Sequence, residues 1–283
     1  MNWQRDIEVL TPLFNRGAYQ DTPEIRVPSI RGMVRWWFRA LGGTADEEKC
    51  VFGGMKKFGQ RFADDVLASR LVFRVSNVRA PRANPNPPTL PHKQGGQASP
   101  QAAFAPGARF KLEVFSRLEN LQPELENKVK NALEVWLLLG ALGLRANRSG
   151  GNVWPADGSA PKAADGLKST LQNLGLKNWS VALVGQGKGK SKNDLHETAT
   201  DTIQGNPYRD IFGSINPRLS SPTKFKVIRL ADGFCLLACA PHREIQCEDG
   251  QERTILREAE RLLWNKPQPH RWQALGTWNY ILP

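Results

Sequence analysis

Hydrophobic residues recur with two different periods along this chain, and the change of period separates candidate strands from candidate helices. In the first half, a period of two predicts strands over residues 7–14, 71–75 and 109–115. A period near 3.6 predicts amphipathic helices over residues 30–41 and 124–139. The predicted order is β-α-β-β-α, which is typical of a ferredoxin-like or RRM-like unit.

The second half of the chain shows the same two periods less regularly. The predicted elements are strands over residues 181–184, 225–230 and 234–238 and helices over residues 167–176 and 252–263. Asp232-Gly233 lies between the last two strands and predicts a hairpin turn there. These elements indicate a second α+β unit.

Residues 79–106 lie between two predicted strands and follow neither period. The segment is rich in proline, glycine, asparagine and glutamine, which are typical of segments that cannot bury enough apolar surface to fold. It is also longer than ordinary connections between secondary-structure elements. We therefore expect a long, mobile insertion that forms no packed element.

The charge balance of the chain indicates the kind of partner it binds. The formal net charge is +12 and the isoelectric point is about 9.8, which favours a polyanionic partner. The sequence has no run of 18 apolar residues and no apolar signal segment at its N-terminus, so we expect a cytoplasmic protein without a membrane partner. The four cysteines show no paired metal-ligand spacing, so neither a metal nor another cofactor is expected.

Three arginines recur on one side of the first predicted helix. Arg31, Arg35 and Arg39 are four residues apart, so they form one stripe. No acidic residue lies between residues 30 and 41, and three unpaired cations on one edge repel each other unless an anion joins them. A solvated cationic face is the competing interpretation. Lys56 and Lys57 extend the basic surface.

A glycine-rich segment, residues 140–154, follows the second predicted helix. Its glycines permit close approach of the backbone, and its arginines and Asn147 supply cations and hydrogen bonds, as expected of a loop that holds an anion. An ordinary glycine stop after a helix is the competing interpretation. Residues 185–192 also resemble a phosphate loop, but Val184 stands where such a loop needs glycine and no strong apolar helix follows. We expect a flexible basic loop there and no nucleotide hydrolysis.

Several strings resemble the RAMP superfamily of CRISPR effector proteins, and within it the first-subunit family of the type III-B Cmr complex. These strings are Leu10-Thr-Pro-Leu-Phe14 with Gly17, Pro23-Glu-Ile-Arg-Val-Pro-Ser-Ile-Arg-Gly-Met-Val-Arg-Trp-Trp-Phe-Arg39, Phe52-Gly53-Gly54 with Ala68-Ser69-Arg70, Gly140 to Val153 and, more weakly, Arg218-Leu-Ser-Ser-Pro222. They cover most of residues 7–154 and a small part of the second half.

The resemblance implies an α+β fold of two ferredoxin-like (RRM-like) domains packed together, here residues 1–155 and 156–283. It also implies a subunit of a type III-B Cmr complex that binds crRNA and target RNA near the crRNA 3′ end, beside other Cmr subunits, in antiviral defence. The residues expected at the RNA are Arg31, Arg35, Arg39, Lys56, Lys57, Gly143, Arg145, Asn147, Arg148, Gly150 and Gly151. The second half shows no second glycine-rich loop, so its contact with RNA is not assigned.

Catalysis is the main alternative function, because some members of the superfamily cut RNA. An endoribonuclease would use Asp21, which precedes the first predicted helix, or His196, which lies among acidic residues in a polar stretch. Spacing alone provides no catalytic geometry, so we predict RNA binding with no catalytic residue. A purely structural subunit whose basic face pairs with an acidic neighbour is the third interpretation.

Overall fold

The computed structural model of the chain describes residues 1–55, 66–91, 93, 95–117, 120–184, 191–201, 208–214, 216–264 and 278–283. The first half contains β1 (Asn2–Val9), α1 (Val27–Ala40), α2 (Ala45–Phe52), β2 (Gly54–Met55), β3 (Val66–Leu67), β4 (Leu71–Arg79), a 3-10 helix (Gly95–Ala98), β5 (Arg109–Ser116), α3 (Pro123–Leu139) and β6 (Val153–Pro155). The second half contains α4 (Ala164–Asn173), β7 (Trp179–Val184), α5 (Lys192–Asp201), α6 (Arg209–Phe212), β8 (Lys224–Leu230), β9 (Gly233–Pro241), β10 (Glu244–Gln246), β11 (Glu252–Thr254), α7 (Ile255–Trp264) and β12 (Trp278–Leu282). Within these ranges, no helix is both long and apolar enough to cross a membrane.

Strands β4, β5, β1 and β6 form an antiparallel sheet in that spatial order. The alternation predicted for β5 is confirmed, because Phe110, Leu112 and Val114 are buried on one face. The same face of β1 buries Ile7, and residues of α1 and α3 belong to the same core. One buried side per strand is what an antiparallel sheet shows when helices cover one of its faces.

The second sheet is buried on both faces. Strands β12, β7, β9 and β8 are antiparallel in that spatial order. Along β9, Cys235, Leu237 and Cys239 belong to the core that contains the first half, whereas Leu236 and Ala238 belong to a core with α5 and α7. The two halves therefore share one continuous hydrophobic core through the inner face of the second sheet.

Some predicted element boundaries are wrong at their ends. The first strand stops at Val9, and the chain then leaves the sheet instead of continuing to residue 14. Helix α1 begins at Val27, three residues before the predicted start, because Pro28 suits the first turn, where no backbone N–H is needed. Residues 252–254 form a strand instead of the start of α7.

The described part of residues 79–106 forms a folded hairpin, so the prediction that this insertion forms no packed element was wrong. Within its described part, the backbone N–H of Ala83 donates to the carbonyl oxygen of Ala103 at 2.9 Å. Ala103 is fully buried, and Phe104 pairs with Leu13 beyond the end of β1. Composition was a poor guide here, because backbone pairing needs only N–H and C=O groups that meet a partner.

Candidate nucleic-acid interface

Helix α1 presents a narrow exposed stripe on its outer side. Its buried face carries Ile30, Val34, Trp37 and Phe38. On the opposite side Pro28, Gly32 and Arg39 are exposed, and Arg35 is half-buried. These four positions follow the spacing i, i+4, i+7 and i+11, which places them on one helix face. We call them the α1 stripe.

The arginines of α1 are held by helix α2. Arg35 Nε and Arg39 Nη1 both donate to Oε1 of Glu48 at 2.8 Å. Arg31 Nη2 donates to the carbonyl oxygen of Phe52 at the end of α2. The expectation of no acidic partner was therefore wrong for Arg35 and Arg39, because their partner comes from the next helix and not from α1 itself.

Glu48 neutralises only part of this positive charge. Burial alone would raise the pKa of Glu48, but the hydrogen bonds from Arg35 and Arg39 hold that pKa below its usual value. Among the described residues, Glu48 is the carboxylate that forms ion pairs with Arg35 and Arg39. Three arginines and one glutamate leave a net charge of +2, and the Arg39 side chain is 51 % exposed. This surface therefore favours an additional anion.

Gly32 lies in the middle of the α1 stripe, where the fold does not require glycine. A glycine inside a helix costs about 0.5–1 kcal/mol relative to alanine. The φ of Gly32 is not positive, and a Cβ at this position would meet no atom within 4 Å. Neither the backbone nor the packing of the described residues explains the glycine. The glycine leaves the helix surface bare beside Arg35.

The glycine-rich segment, residues 140–152, runs between the two halves. It lies beside the edge strand β8, where Phe225 N–H donates to the carbonyl oxygen of Asn147 at 3.2 Å. Ser149 N–H donates back to the carbonyl oxygen of Phe225 at 3.1 Å. The segment therefore extends the second sheet, although it belongs to the first half of the chain.

Gly151 closes the same segment against the first half. Its N–H donates to the carbonyl oxygen of Pro12 at 2.9 Å. Its φ is +59°, and a Cβ there would collide with the carbonyl oxygen of Leu142, so only glycine fits. Gly150 is also buried, whereas Gly143 is exposed. Of the three glycines expected at the RNA, Gly143 is the one that lies at the surface.

Arg148 is buried and contacts protein instead of solvent. The residue is 4 % exposed. Its Nη1 donates to the carbonyl oxygens of Asn147 at 2.7 Å and Thr223 at 3.1 Å, and its Nη2 donates to that of Phe212 at 2.9 Å. Burial, with a smaller effect from Arg145, lowers its pKa to about 9. The expectation that Arg148 contacts an RNA backbone does not fit this placement, because its guanidinium anchors the loop to the second half.

Arg145 and Asn147 lie in the outer part of the segment and are half-buried. Burial lowers the pKa of Arg145. Asn147 Oδ1 accepts a hydrogen bond from Lys224 Nζ at 2.9 Å, and this Nζ lies 4.5 Å from the ring centroid of Trp36 on α1. Lys224 therefore links the segment to α1. The sequence did not indicate this role, because a lysine at the start of a strand is usually a solvated residue.

The two candidate catalytic residues differ in exposure. His196 is 6 % exposed in α5, so the expectation of a histidine in a polar loop was wrong. Burial lowers its pKa to about 4, so its imidazole is neutral at pH 7. Asp21 is exposed and accepts a hydrogen bond from Thr22 Oγ1 at 3.2 Å. Over the described ranges, no group of three His, Cys, Asp or Glu side chains could hold a metal ion.

Two parts of the predicted basic surface lie outside the described residues. They are Lys56 with Lys57, and residues 185–190 of the basic loop. The strands on either side of the first gap are described, because β2 and β3 pair through Gly54 with Leu67 and through Met55 with Val66. In the sequence, the two lysines directly follow β2.

Near its centre, the face of the first sheet that points away from α1 and α3 has balanced charges, whereas Arg79 faces Arg109 at its edge. Lys111 faces Asp6 across the strands, and Glu113 faces Arg74. Phe115 is the one aromatic residue on this face of β1, β4 and β5, and the Arg74 guanidinium lies 5.3 Å from its ring centroid. RRM domains stack bases on exposed aromatic residues of such a face. The first sheet lacks that platform, and the second sheet is covered on both faces.

Known proteins similar to this chain point to one family. Residues 6–154 match the model of the RAMP superfamily. The CRISPR system Cmr subunit Cmr1-1 of Pyrococcus furiosus is 28 % identical over an alignment of 193 residues that covers 60 % of this chain and 47 % of that protein. The chain thus spans about half the length of this curated relative.

Two solved structures share the fold. The apo crystal structure of Cmr1 from Pyrococcus furiosus matches 99 % of this chain and 98 % of its own, with a TM-score of 0.64 and 18 % identity. A chain in the cryo-EM structure of the type III-B Cmr-beta complex, bound to cognate target RNA and AMPPnP in state 2 in the presence of ssDNA, matches 92 % of this chain and 99 % of its own, with a TM-score of 0.57 and 12 % identity. Because the family model covers more than half of the 283 residues, this chain belongs to the RAMP superfamily.

Proposed function

We propose that this chain is a non-catalytic, RNA-binding subunit of a type III-B Cmr effector complex. In this proposal it binds crRNA and target RNA near the crRNA 3′ end, and other Cmr subunits are its protein partners. The observation that carries RNA binding is the positive surface of α1, where Arg31, Arg35, Arg39 and Glu48 leave a net charge of +2 and the unexplained Gly32 lies on the α1 stripe. A guanidinium group suits a phosphate because two of its N–H groups can donate parallel hydrogen bonds to two phosphate oxygens.

The relatives support the assembly part of the proposal. The curated relative is a Cmr subunit, and one structural neighbour belongs to a Cmr complex with target RNA bound. The balanced sheet face supports a backbone-directed mode, because it offers no aromatic platform for bases. Arginines that contact phosphates position a strand without reading its sequence, so we expect similar affinity for RNAs of different sequence.

We further propose that each half is a ferredoxin-like domain, with the boundary near residue 155. When the short inserted elements are set aside, each half runs β-α-β-β-α-β. The spatial orders are β4-β5-β1-β6 in the first half and β8-β9-β7-β12 in the second, so the first strand lies between the third and the fourth in both. This shared connectivity is typical of the ferredoxin-like fold.

Co-expression of the chain with the other subunits of its complex and a crRNA tests the assembly proposal. We expect the chain to co-purify with them, and we expect its ultraviolet crosslinks to RNA to include residues 28–39. A chain that elutes alone and free of RNA, while the other subunits assemble with the crRNA, would contradict the proposal.

Gly32→Ala is expected to weaken RNA binding and to stabilise the fold. Alanine removes the cost of a glycine inside a helix, so the free energy of unfolding rises by about 0.5–1 kcal/mol. The new methyl group stands on the α1 stripe and holds an RNA backbone away from Arg35, so the Kd for a labelled single-stranded RNA rises about tenfold, or about 1.4 kcal/mol. Urea unfolding measures the first quantity, and fluorescence anisotropy measures the second.

The matched control is Gly166→Ala. Gly166 is also an exposed glycine inside a helix, α4, and the nearest atom to a Cβ there is Pro161 Cβ at 4.0 Å. We expect a similar gain in stability and no change in RNA affinity. If Gly32→Ala binds RNA as tightly as the unchanged chain, RNA does not approach α1 at this glycine.

A further inference from the structure

Each half carries a small hairpin between its first helix and its second long strand. Hairpin 1 is residues 53–69, of which 56–65 lie outside the described residues, and hairpin 2 is residues 213–221, of which 215 does. Each begins directly after a phenylalanine that ends a short helix, namely Phe52 of α2 and Phe212 of α6. The two hairpins therefore occupy the same place in the two halves.

The glycines that open the two hairpins have the same conformation and surroundings. Their φ angles are +76° at Gly53 and +75° at Gly213. A Cβ at Gly53 would lie 2.5 Å from the carbonyl oxygen of Leu67, and one at Gly213 would lie 2.5 Å from that of Leu219. In both hairpins the returning strand thus crosses directly over the glycine, which no larger residue allows.

The ends of the two hairpins are also closed in the same way. Ser69 Oγ donates to the carbonyl oxygen two residues later, Leu71, at 3.0 Å. Ser221 Oγ likewise donates to the carbonyl oxygen of Thr223 at 2.5 Å. This repeated bond shows that the short Ser214–Leu219 bridge in the second half corresponds to the β2–β3 pair in the first.

An arginine fastens the start of each hairpin, but the two arginines come from different elements. The carbonyl oxygen of Phe52 accepts from Arg31 of α1. The carbonyl oxygen of Phe212 accepts from Arg148, which lies in the glycine-rich segment of the first half. The glycine-rich segment therefore holds hairpin 2 in place.

Hairpin 2 exposes a cation beside an apolar side chain. Residues 216–220 are all exposed, and Leu219 is 46 % exposed, close to the 44 % of its counterpart Leu67. Arg218 forms no ion pair with the residues that the structure describes. From residue 211 to residue 231 the sequence contains no acidic residue, and Arg218 is the exposed one of its four basic residues: Lys226 is buried, Lys224 donates to Asn147, and Arg229 pairs with Glu8. This composition opposes a basic partner and favours a polyanion.

We propose that hairpin 2 is a second RNA contact, in which Arg218 binds a phosphate and Leu219 packs against a base of the same single strand. Single-stranded RNA offers both groups side by side, whereas an acidic protein surface would leave the exposed leucine against charged groups. The inference rests on the proposed RNA-binding function and extends it to the second half. Arg148 is then a positioning residue, because it holds hairpin 2 through Phe212 without reaching the RNA.

The test is the double variant Arg218→Glu/Leu219→Ser in the full chain, with labelled single-stranded RNA. Both side chains are exposed, so the thermal unfolding midpoint is expected to stay unchanged. The Kd for RNA is expected to rise at least about tenfold, and the negative slope of log K for association against log salt is expected to decrease in magnitude by about 0.7, the value for one phosphate contact on a single strand. Arg218→Gln, which leaves Leu219 in place, is expected to reduce the slope in the same way.

The matched control is Lys168→Glu, which changes the charge by the same amount at an exposed position of α4. Equal losses of affinity in Lys168→Glu and in the double variant Arg218→Glu/Leu219→Ser would show a general charge effect and overturn the inference. If the double variant keeps its RNA affinity while replacement of the α1 arginines reduces it, hairpin 2 is not an RNA contact, and the proposed RNA-binding function still stands. If the unchanged chain binds no RNA, both the inference and the proposed function fail.

Discussion

Arg148→Ala is expected to lower the midpoint of thermal unfolding by about 10 °C. The substitution removes two hydrogen bonds in a buried junction between the halves; the carbonyl oxygen of Phe212 loses its donor, whereas that of Thr223 keeps Ser221 Oγ. A hydrogen bond from a charged group contributes about 1.5–3 kcal/mol, so we expect a total loss near 4 kcal/mol. For a chain of this size, 1 kcal/mol corresponds to about 2–4 °C. Circular dichroism of the purified variant measures the shift.

Two further variants separate geometry from charge in this prediction. Arg148→Lys retains the positive charge, but an ammonium cannot reach both carbonyl oxygens in the way a planar guanidinium does, so most of the destabilisation is expected to remain. Arg218→Ala removes an exposed arginine and is expected to shift the midpoint by less than about 2 °C. If the Arg148→Ala variant has the same midpoint of thermal unfolding as the unchanged chain, Arg148 does not join the halves.

Replacing Arg35 and Arg39 is expected to cause the largest loss of RNA affinity. With both changed to Gln, Glu48 would remain as a buried carboxylate without its partners, so the test variant also carries Glu48→Gln. We expect the Kd for single-stranded RNA to rise about 100-fold at low salt, or about tenfold for each phosphate that an arginine no longer binds. The negative slope of log K for association against log salt is expected to decrease in magnitude by about 1.4, that is, twice 0.7.

The control for this variant is Arg74→Gln/Lys111→Gln, which removes two cations from the balanced face of the first sheet. The RNA affinity of this control is expected to stay within about twofold of that of the unchanged chain, because RNA is not expected to bind a sheet face without an aromatic platform. If the sheet-face variant loses as much affinity as the α1 variant, the RNA crosses the sheet as it does in RRM domains, and the α1 stripe is not the main site.

Elements with strong local patterns could be predicted from the sequence with good accuracy. The strand around Phe110 and the helix that ends at Leu139 both agree with the structure. In each case the information is local, because the periodic alternation of buried side chains defines the element. The insertion 79–106 was predicted wrongly for the converse reason, because its order comes from pairing with residues distant in the sequence.

The candidate site required more than local information. Arg35 and Arg148 have the same chemistry in the sequence, yet one is half-exposed on α1 and the other is buried against carbonyl oxygens of the second half. Glu48 could not be matched with the α1 arginines either, because it lies on a different helix. Hairpin 2 was missed as a repeat, because its loop is shorter than that of hairpin 1 and only the backbone crossing at Gly213 reveals the similarity.

The sequence by itself determined the basic character of the protein, the periods of its main strands and helices, and the resemblance to its family. These properties depend on composition and on neighbours within a few positions. Only the tertiary structure decided which cations remain available to an anion, because burial and pairing bring together residues far apart in the chain, as Arg148 and Phe212 show. A guanidinium in water and one enclosed by carbonyl oxygens are identical in the sequence and differ only in what the fold places around them.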